Sequence, residues 1–546
     1  MKRWLPLAVL CAAQFIMVLD SSVMNVSISA IVEDLNTTIQ GVQLAITAYT
    51  LVMAAFMLVG AKLGDIWGRD RAFAIGLAVY GLGSLTTALS PSLPVLLIGW
   101  SGIEGLGAVL VIPAIAALVV TLYEGRERAV AYGLLGASSG IAVAAGPLIG
   151  GWVTTTFSWR WVFVGEVVVV VAILLVRRRV VGVQPRPESP PRLDVVGAAL
   201  SALGLGLVVY AVLKSSDWGW IRSKTPPTVA GHALEPFGLS LVPFLILAGF
   251  GLLLTFMRWE GRRERLGEDT LLDRSLLKIR TLRAGLGTLA LQQLVLMGTF
   301  FVLPVYLQVV LGLDAFSTGK RLLPMSVAML VGALGGSRLT ARMAPRRVSR
   351  LGLASIALSL VFLVGTIDVE LNSVHFAIAL ALFGLGAGLL VSQLGNVIMS
   401  SVDPSETNEA GGLQGTAQNI GASLGTALLG SVLLAGLTSG FVDRIENNPA
   451  LPAPAQEQIV ATAQESGLDV VPSAEVTAAA EAAGASAAEA EAIASSYDDA
   501  LLDALRRALA AGAVITVLGL GLTVNLPHGE RVPATGRPVG TPNEPE

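Results

Sequence analysis

Apolar runs of about twenty residues recur along the chain, separated by short polar breaks. A helix needs about 20 mostly apolar residues to cross a bilayer core, and on that spacing the pattern predicts fourteen spans, at about 5–30, 43–63, 72–90, 93–122, 130–156, 159–176, 195–213, 239–257, 284–311, 319–340, 351–367, 374–400, 411–437 and 504–525. The long fourth, ninth and twelfth runs are expected to tilt or to extend past the core. Lys and Arg concentrate in alternate breaks: Lys2 and Arg3; Arg69 and Arg71; Arg126 and Arg128; Arg177, Arg178 and Arg179; Arg262, Arg263 and Arg265; Arg346, Arg347 and Arg350. The opposite breaks are poor in them, with Arg222 and Lys224 the main exceptions. The positive-inside bias puts the first set in the cytoplasm. An even number of spans then puts both termini there, in keeping with Arg531 and Arg537 in the tail.

Three segments fall outside this alternation. RRRVVGVQPRPESPPRLD (177–194) is basic and proline-rich, so it reads as a cytoplasmic linker and a domain boundary. RWEGRRERLGEDTLLDRSLLKIR (258–280) is charged and amphipathic, and predicts a helix along the cytoplasmic face. Residues 438–500 form an external Ala/Glu-rich insert; its composition favours helix, part of which is expected to extend the last span outward. A solvated lid without substrate contacts is the plainer role for it, and concentration of cations by its negative charge the alternative.

Composition agrees with the pattern. The 546 residues are 53% hydrophobic and only 14% charged, against about 25% charged in ordinary soluble chains, and the mean hydropathy is +0.71. A net charge of −3 gives no basic surface for nucleic acid. The single cysteine, Cys11, excludes an intramolecular disulfide and a cysteine metal cage; the three histidines (His232, His375, His528) are scattered, so no metal site is expected. MKRWLPLAVLCAAQF begins like a signal peptide, but its apolar run is too long and lacks a small-x-small cleavage site, so it reads as a retained first span.

Two breaks resemble each other. GAKLGDIWGRDRAF follows the second span and GSRLTARMAPRRVSRL the tenth. With the seventh and eighth spans set aside, the remainder divides into six plus six, the parallel repeat of a secondary transporter that binds substrate between its halves. The implied domains are 1–180, a first six-helix bundle; 181–265, the linker and two additional spans; and 266–546, a second six-helix bundle with the insert and a short tail.

Several motifs carry a more specific resemblance. AKLGDIWGRDR (61–71) is similar to the signature loop of the major facilitator superfamily, and the chain as a whole, outside the insert and tail, resembles the superfamily's fourteen-span drug:proton antiporters. The implied fold is all-α and integral to the membrane, two six-helix bundles plus two extra central spans. In the loop, Asp65, Gly68, Arg69 and Arg71 match, and the resemblance implies a cytoplasmic gate; Gly68 suits a tight turn, while Asp65 can accept hydrogen bonds from a helix N-terminus or an arginine. Ala61, Ile66 and Asp70 depart from the pattern. GLLGASSGIAVAAGPLIGG (133–151) resembles the antiporter signature of span five through Gly133, Gly146, Pro147, Gly150 and Gly151, with Ala142 in place of a usual glycine. Its proline bends the helix and its small residues admit close packing.

The intramembrane acids bear on mechanism. LDSSVMNV (19–26) resembles the family's first-span signature through Asp20 and Asn25. A charge at the bilayer centre costs about 2.5–3.5 kcal/mol on insertion scales, and Asp20 lies about 24 Å of helix in from Trp4, too deep to reach that interface. Asp20 therefore faces water, is protonated, or alternates between the two. In VLLIGWSGIEGLGAVLVIPA (95–114) the family's usual arginine and glutamine are Ser101 and Glu104. A cation is lost and a carboxyl gained, which makes Glu104 either a proton carrier or a permanently neutral structural acid. SWRWVFVGEVVVV (158–170) resembles the start of the family's sixth span: Trp159 and Trp161 suit an aromatic belt, Arg160 an interfacial anchor, and Glu166 either pairs with Arg160 or is a further titratable site.

In the second half, FFVLPVYLQVVLGLDAFSTGKRLLP (300–324) and EAGGLQGTAQNIGASLGTALLG (409–430) resemble family signatures. Tyr306, Gln308, Gln414, Gln418 and Asn419, with Gln292, Gln293, Asn25 and Trp100, are candidate cavity residues; uncharged polar groups also serve as interhelical glue. The resemblance implies proton-coupled export of hydrophobic or amphipathic, cationic compounds, a drug:H+ antiporter in a bacterial cytoplasmic (inner) membrane. It would act as a monomer with lipids around it, driven by the proton gradient and without a cofactor. An exporter dedicated to one endogenous metabolite, antibiotic or lipid is the alternative. No nucleotide loop or HExxH motif supports an enzyme, and the cytoplasmic segments are too short for a receptor's signalling domain.

Overall fold

The computed structural model describes residues 4–123, 125–180, 192–229, 232–339, 343–403 and 406–527. The terminal cations Lys2, Arg3, Arg531 and Arg537, His528, and most of the 177–194 linker lie outside them.

Each predicted span falls on a helix. In chain order the helices are α1 (Leu5–Val26), α2 (Ile28–Leu35), α3 (Ile39–Trp67), α4 (Arg69–Ala88), α5 (Leu93–Leu96), α6 (Gly105–Leu122), α7 (Gly125–Thr156), α8 (Arg160–Val180), α9 (Val195–Trp218), α10 (Val242–Leu266), α11 (Arg280–Val305), α12 (Ala315–Leu339), α13 (Pro345–Val364), α14 (Ser373–Met399), α15 (Thr407–Glu446), α16 (Ala453–Ser466), α17 (Ser473–Ala482) and α18 (Ala487–Gly519). A π-helical stretch, Leu97–Glu104, joins α5 to α6, and a second, Tyr306–Val310, ends α11. Among the described residues ten helical segments are long and apolar enough to cross a membrane, or eleven with the bent α7. The only strands described are β1 (Thr228–Val229) and β2 (His232–Ala233), an antiparallel pair between α9 and α10.

Helices α1–α8 pack on one another, and so do α11–α15 with α18. The two bundles meet chiefly along α3 with α15 and α7 with α12. Gln43 Nε2 donates to Thr426 O at 3.0 Å, and Ser423 Oγ to Thr47 O at 3.0 Å, across the first seam. In the second, Pro147 lacks the N–H that would bond Val143 O; Ser326 Oγ of α12 donates to that carbonyl at 3.4 Å instead, where α7 bends by 43°. Helices α9 and α10 pair, and α9 leans on both α3 and α15. Large apolar side chains such as Leu82, Leu175 and Leu254 stand exposed around the outside, as a lipid-facing surface requires.

Two expectations change. The 258–280 stretch is not a separate amphipathic helix: α10 runs on to Leu266, and an irregular loop follows, with a single 3-10 turn at Leu276–Lys278. Buried Leu271, Leu272 and Leu276 pin that loop, and Glu260 accepts from Leu271 N at 3.0 Å. Part of the insert does extend the last span outward, as expected: α18 begins within it at a Ser486–Glu489 capping box. The rest of the insert is the α16–α17 pair; Tyr497 Oη donates to Asp469 O at 2.8 Å, and Gln40 Nε2 at the start of α3 donates to Leu468 O at 3.4 Å. Finally, Trp159 is not a belt residue. It is buried, and its Nε1 donates to Asp34 Oδ2 at 2.9 Å; Trp161 is exposed.

Candidate functional site

Asp20 on α1, Glu104 at the end of the first π stretch and Glu166 on α8 converge inside the first bundle. One carboxylate oxygen from each lies within 4.8 Å of the other two, and their residues are 0%, 0% and 2% exposed. Local structure explains the convergence. π turns are rare and recur at functional sites because the extra residue re-aims the side chains that follow; here the stretch carries Trp100, Ser101 and Glu104, and Ser101 Oγ anchors it by donating to Ala45 O at 2.8 Å. Gly83 on α4 removes the obstacle on the other side, since a Cβ there would lie 2.6 Å from Glu104 Cα.

The surroundings supply donors and no counter-ion. Trp100 Nε1 donates to both oxygens of Asp20, at 2.9 and 3.0 Å, and its ring stacks on Tyr49 at 4.7 Å and 5°. Tyr80 Oη and Ser84 Oγ donate to Glu166 Oε2 at 3.2 and 3.0 Å. Both oxygens of Glu104, Oε1 of Glu166 and the Tyr49 hydroxyl are buried without a hydrogen-bond partner. Among the described residues no lysine or arginine forms an ion pair with the three acids. Two unit charges 4.8 Å apart repel by about 3 kcal/mol at an effective dielectric near 20, and three such pairs add to the desolvation of each group. Full ionisation is not sustainable there. Protons shared between carboxyl oxygens would satisfy the orphaned acceptors.

The donor set is all oxygen, which also suits a hard cation. The Trp100 N–H occupies Asp20, leaving Glu104 and Oε1 of Glu166 as the free ligand atoms. No histidine or cysteine takes part, so composition alone gave no sign of this set.

Arg160 does not reach Glu166. It forms an ion pair with Asp34, donates to Ser90 O at 2.6 Å, and lies 4.5 Å over the Trp159 ring. The gate residues sit at the α3–α4 turn. Gly68 has φ +90°, which only glycine adopts without strain. Arg69 Nη1 donates to Ala117 O at 3.1 Å and Thr121 Oγ1 at 2.9 Å; Asp65 is partly buried, with Arg69 and Lys62 its nearest cations, and Arg71 is exposed. Asp70, a departure from the motif, is buried and binds Arg177 of α8 at 2.7 Å.

Helix α7 uses two faces. A Cβ on Gly146 would lie 2.9 Å from Ser22 Oγ, and one on Gly150 2.7 Å from Val23 Cγ2, so α7 fits against α1 one turn beyond Asp20. Pro147 and Gly151 lie on the opposite face, against Gly319 and Ala315–Phe316 of α12. Gly133 lies on the same helix.

The neutral polar residues divide. Gln308 is a clamp between bundles: Nε2 donates to Val26 O at 2.8 Å and Oε1 accepts from Ser29 N at 3.1 Å, satisfying backbone groups around the Ser27 break between α1 and α2. Tyr306 Oη donates to Asp368 O at 2.6 Å, Gln292 Nε2 to Ala387 O at 3.2 Å, Asn25 Nδ2 to Ser21 O at 2.7 Å and Asn419 Nδ2 to Gly415 O at 2.9 Å, all as structural ties. Gln293, Gln414 and Gln418 are partly exposed. Tyr49, Tyr80 and Ser84 were not among the expected site residues. The signal for the last two was their four-residue spacing, which puts both on one face of the third span.

Comparison with known proteins bears on the chain as a whole. The sequence model described as Major Facilitator Superfamily matches residues 10–426. The probable actinorhodin transporter of Streptomyces coelicolor is 30% identical over 452 residues, covering 80% of this chain and 74% of that protein. The puromycin resistance protein pur8 of Streptomyces alboniger is 32% identical over 454 residues (82% and 85%). The multidrug resistance protein Stp of Mycobacterium tuberculosis is 28% identical over 453 residues (82% and 78%). Among solved structures, a bacterial homologue of the human lysosomal transporter Spinster, inward-facing and unoccupied, superposes with a TM-score of 0.57 at 14% identity, over 96% of each chain.

Proposed function

From a chain that belongs to the major facilitator superfamily, a multi-pass membrane protein and a transporter rather than an enzyme, we propose a proton-coupled exporter of hydrophobic or amphipathic, cationic small molecules. Its relatives include a probable actinorhodin transporter and proteins named for puromycin resistance and multidrug resistance, which supports drug export as the general activity. The finer reading has fourteen spans, both termini in the cytoplasm of a bacterium, and a monomer working without a cofactor.

The observation that carries the coupling is the cation-free triad of Asp20, Glu104 and Glu166. In one conformation a carboxylate of the triad meets cationic substrate. After reorientation an external proton takes its place, and the neutral acid crosses back without the desolvation cost of a bare charge. Gly146 and Gly150 against α1, and Pro147 and Gly151 against α12, make α7 the element through which movement between the bundles reaches the helix that carries Asp20. Dye efflux from inverted vesicles tests this. Glu104→Gln is expected to reduce export driven by a pH gradient by about tenfold or more, a coupling loss of at least 1.4 kcal/mol, with the protein still inserted and monodisperse. Unchanged gradient-driven export by that variant would sink the proposal.

A second reading, export of one dedicated compound, has support of its own, because two of the three relatives named above are named for a single antibiotic. A substrate panel in a pump-deficient host separates the two.

A further inference from the structure

The two loops that resemble each other in sequence treat their arginines differently. After α3, Arg69 is spent on Ala117 O and Thr121 Oγ1, and Asp70 is tied to Arg177. At the corresponding place in the second half, Arg347 and Arg350 on the first turns of α13 are exposed, and among the described residues neither is in an ion pair with a carboxylate. Arg350 gives its Nε to Thr523 Oγ1 at 2.9 Å, which fixes the side chain and leaves the outer N–H groups of the fork free. Both arginines line an open groove of about 630 Å³ between α13 and the segment that follows α18, completed by Met343, Leu351, Ala354 and Leu520.

The groove is cationic at one end only. Arg347, Leu351, Ala354, Leu358 and Val361 recur at three- and four-residue spacing and are all exposed, so one continuous stripe of α13 passes from charge to hydrocarbon. Leu520, in the 3-10 turn that follows α18, continues the apolar wall of the groove, and α18 packs against α13. A planar guanidinium pair matches the geometry of a phosphate diester, and basic pockets between membrane helices at the cytoplasmic side suit anionic head groups.

We propose that this groove is a binding site for an anionic diacyl phospholipid, its phosphate on Arg347 and Arg350 and its acyl chains along the α13 stripe and Leu520. A soluble anion would use the arginines and leave the apolar stripe bare; a zwitterionic lipid would gain less from the unpaired cations. The site is separate from the carboxyl cluster and stands whether or not that cluster couples protons.

The test is native mass spectrometry of the delipidated full-length protein with phosphatidylglycerol, with phosphatidylcholine of the same chains, or with inorganic phosphate. Wild type is expected to retain one phosphatidylglycerol in preference to phosphatidylcholine. Arg347→Gln/Arg350→Gln is expected to weaken that retention about fivefold or more per arginine. Arg262→Gln/Arg265→Gln, at exposed arginines on the end of α10, should leave it intact. Leu520→Trp, which fills the groove without changing its charge, should also lose the lipid and serves if the arginine pair is needed for folding. Equal retention by the groove variants and wild type, equal retention of the two lipids, or displacement of phosphatidylglycerol by millimolar phosphate would each overturn the proposal.

Discussion

The two bundles bury different chemistry. Within the first lie Asp20, Glu104 and Glu166, gathered to within 4.8 Å of one another. The second, over the described residues of α11–α18, buries no carboxyl; its interior polar groups are amides and hydroxyls such as Gln292, Gln393, Ser359 and Thr426. Several are bonded to backbone: Gln393 Nε2 donates to Gly336 O at 3.1 Å and Ser359 Oγ to Ala379 O at 2.6 Å; those left without a partner, such as Gln292 Oε1 and Thr299 Oγ1, are uncharged. A neutral group bonded to a helix carbonyl has nothing further to exchange and adds about 1 kcal/mol of adhesion. An acid without a counter-ion is costly in every fixed state and becomes useful only when its protonation changes. Under the proposed coupling, this asymmetry would place proton handling in one bundle and scaffolding in the other.

The largest effects should separate the bundles by coupling. Asp20→Asn and Glu166→Gln are expected to bring gradient-driven and gradient-free efflux to the same rate, a loss of about tenfold or more. Gln292→Leu and Gln393→Leu should preserve that ratio, even if total activity falls. Raising the external pH from about 6 to 8 removes the proton that the cycle consumes, so wild-type export should slow while the acid variants stay flat. A second-bundle amide variant that lost coupling outright would dissolve the division.

Backbone proximity should sharpen it. Gly83 and Gly384 both allow close helix crossings, the first at Glu104 and the second at Met325. Alanine at either overpacks a buried contact, at about 1–3 kcal/mol, so both variants should melt earlier in detergent. Only Gly83→Ala should also change the pH dependence of export, because it alone displaces a member of the triad. Matching pH profiles for the two would make Glu104 a structural acid.

Much of this architecture was legible in the order of residues. Every predicted span lies on a helix, because twenty apolar residues can satisfy their backbone in lipid only by coiling. The three acids were conspicuous because lipid-length runs rarely contain charge. What linear order could not convey was their convergence. Positions 20, 104 and 166 meet through a π turn at 97–104 and a missing Cβ at Gly83, neither of which leaves a periodic signature. The loop after α10 escaped for a related reason: its helix-like alternation is set by Glu260 receiving the Leu271 amide, a contact eleven residues apart. Likewise Gln308 looked like a cavity residue, whereas it repairs the helix break at Ser27 from the opposite bundle.

That repair gives a smaller test. Gln308→Leu would orphan Val26 O and Ser29 N at the contact between bundles. Two lost hydrogen bonds of about 1 kcal/mol each amount to a population shift of roughly thirtyfold toward separation at that end. Spin labels placed at the α1–α2 break and beyond α11 should report a longer distance, with the ratio of gradient-driven to gradient-free export retained. An unchanged distance distribution would make the clamp incidental.

The smallest effect is expected at Arg160, and it bears on the same division. Were this arginine the counter-ion of Glu166, the first bundle would contain a locked ion pair, and removing the cation would strand a buried charge at about 3–5 kcal/mol. Instead Arg160 meets Asp34, with side chains 26% and 43% exposed, a setting in which a pair contributes about 1 kcal/mol or less. Arg160→Gln should therefore lower the melting temperature only slightly, through the lost contacts with Asp34, Ser90 O and the Trp159 ring, and leave coupling untouched. A variant that behaves like Glu166→Gln in the efflux assay would mean that the two side chains pair at some stage of the cycle. The triad would then be a dyad with a tethered neighbour, and proton handling would rest on Asp20 and Glu104 alone.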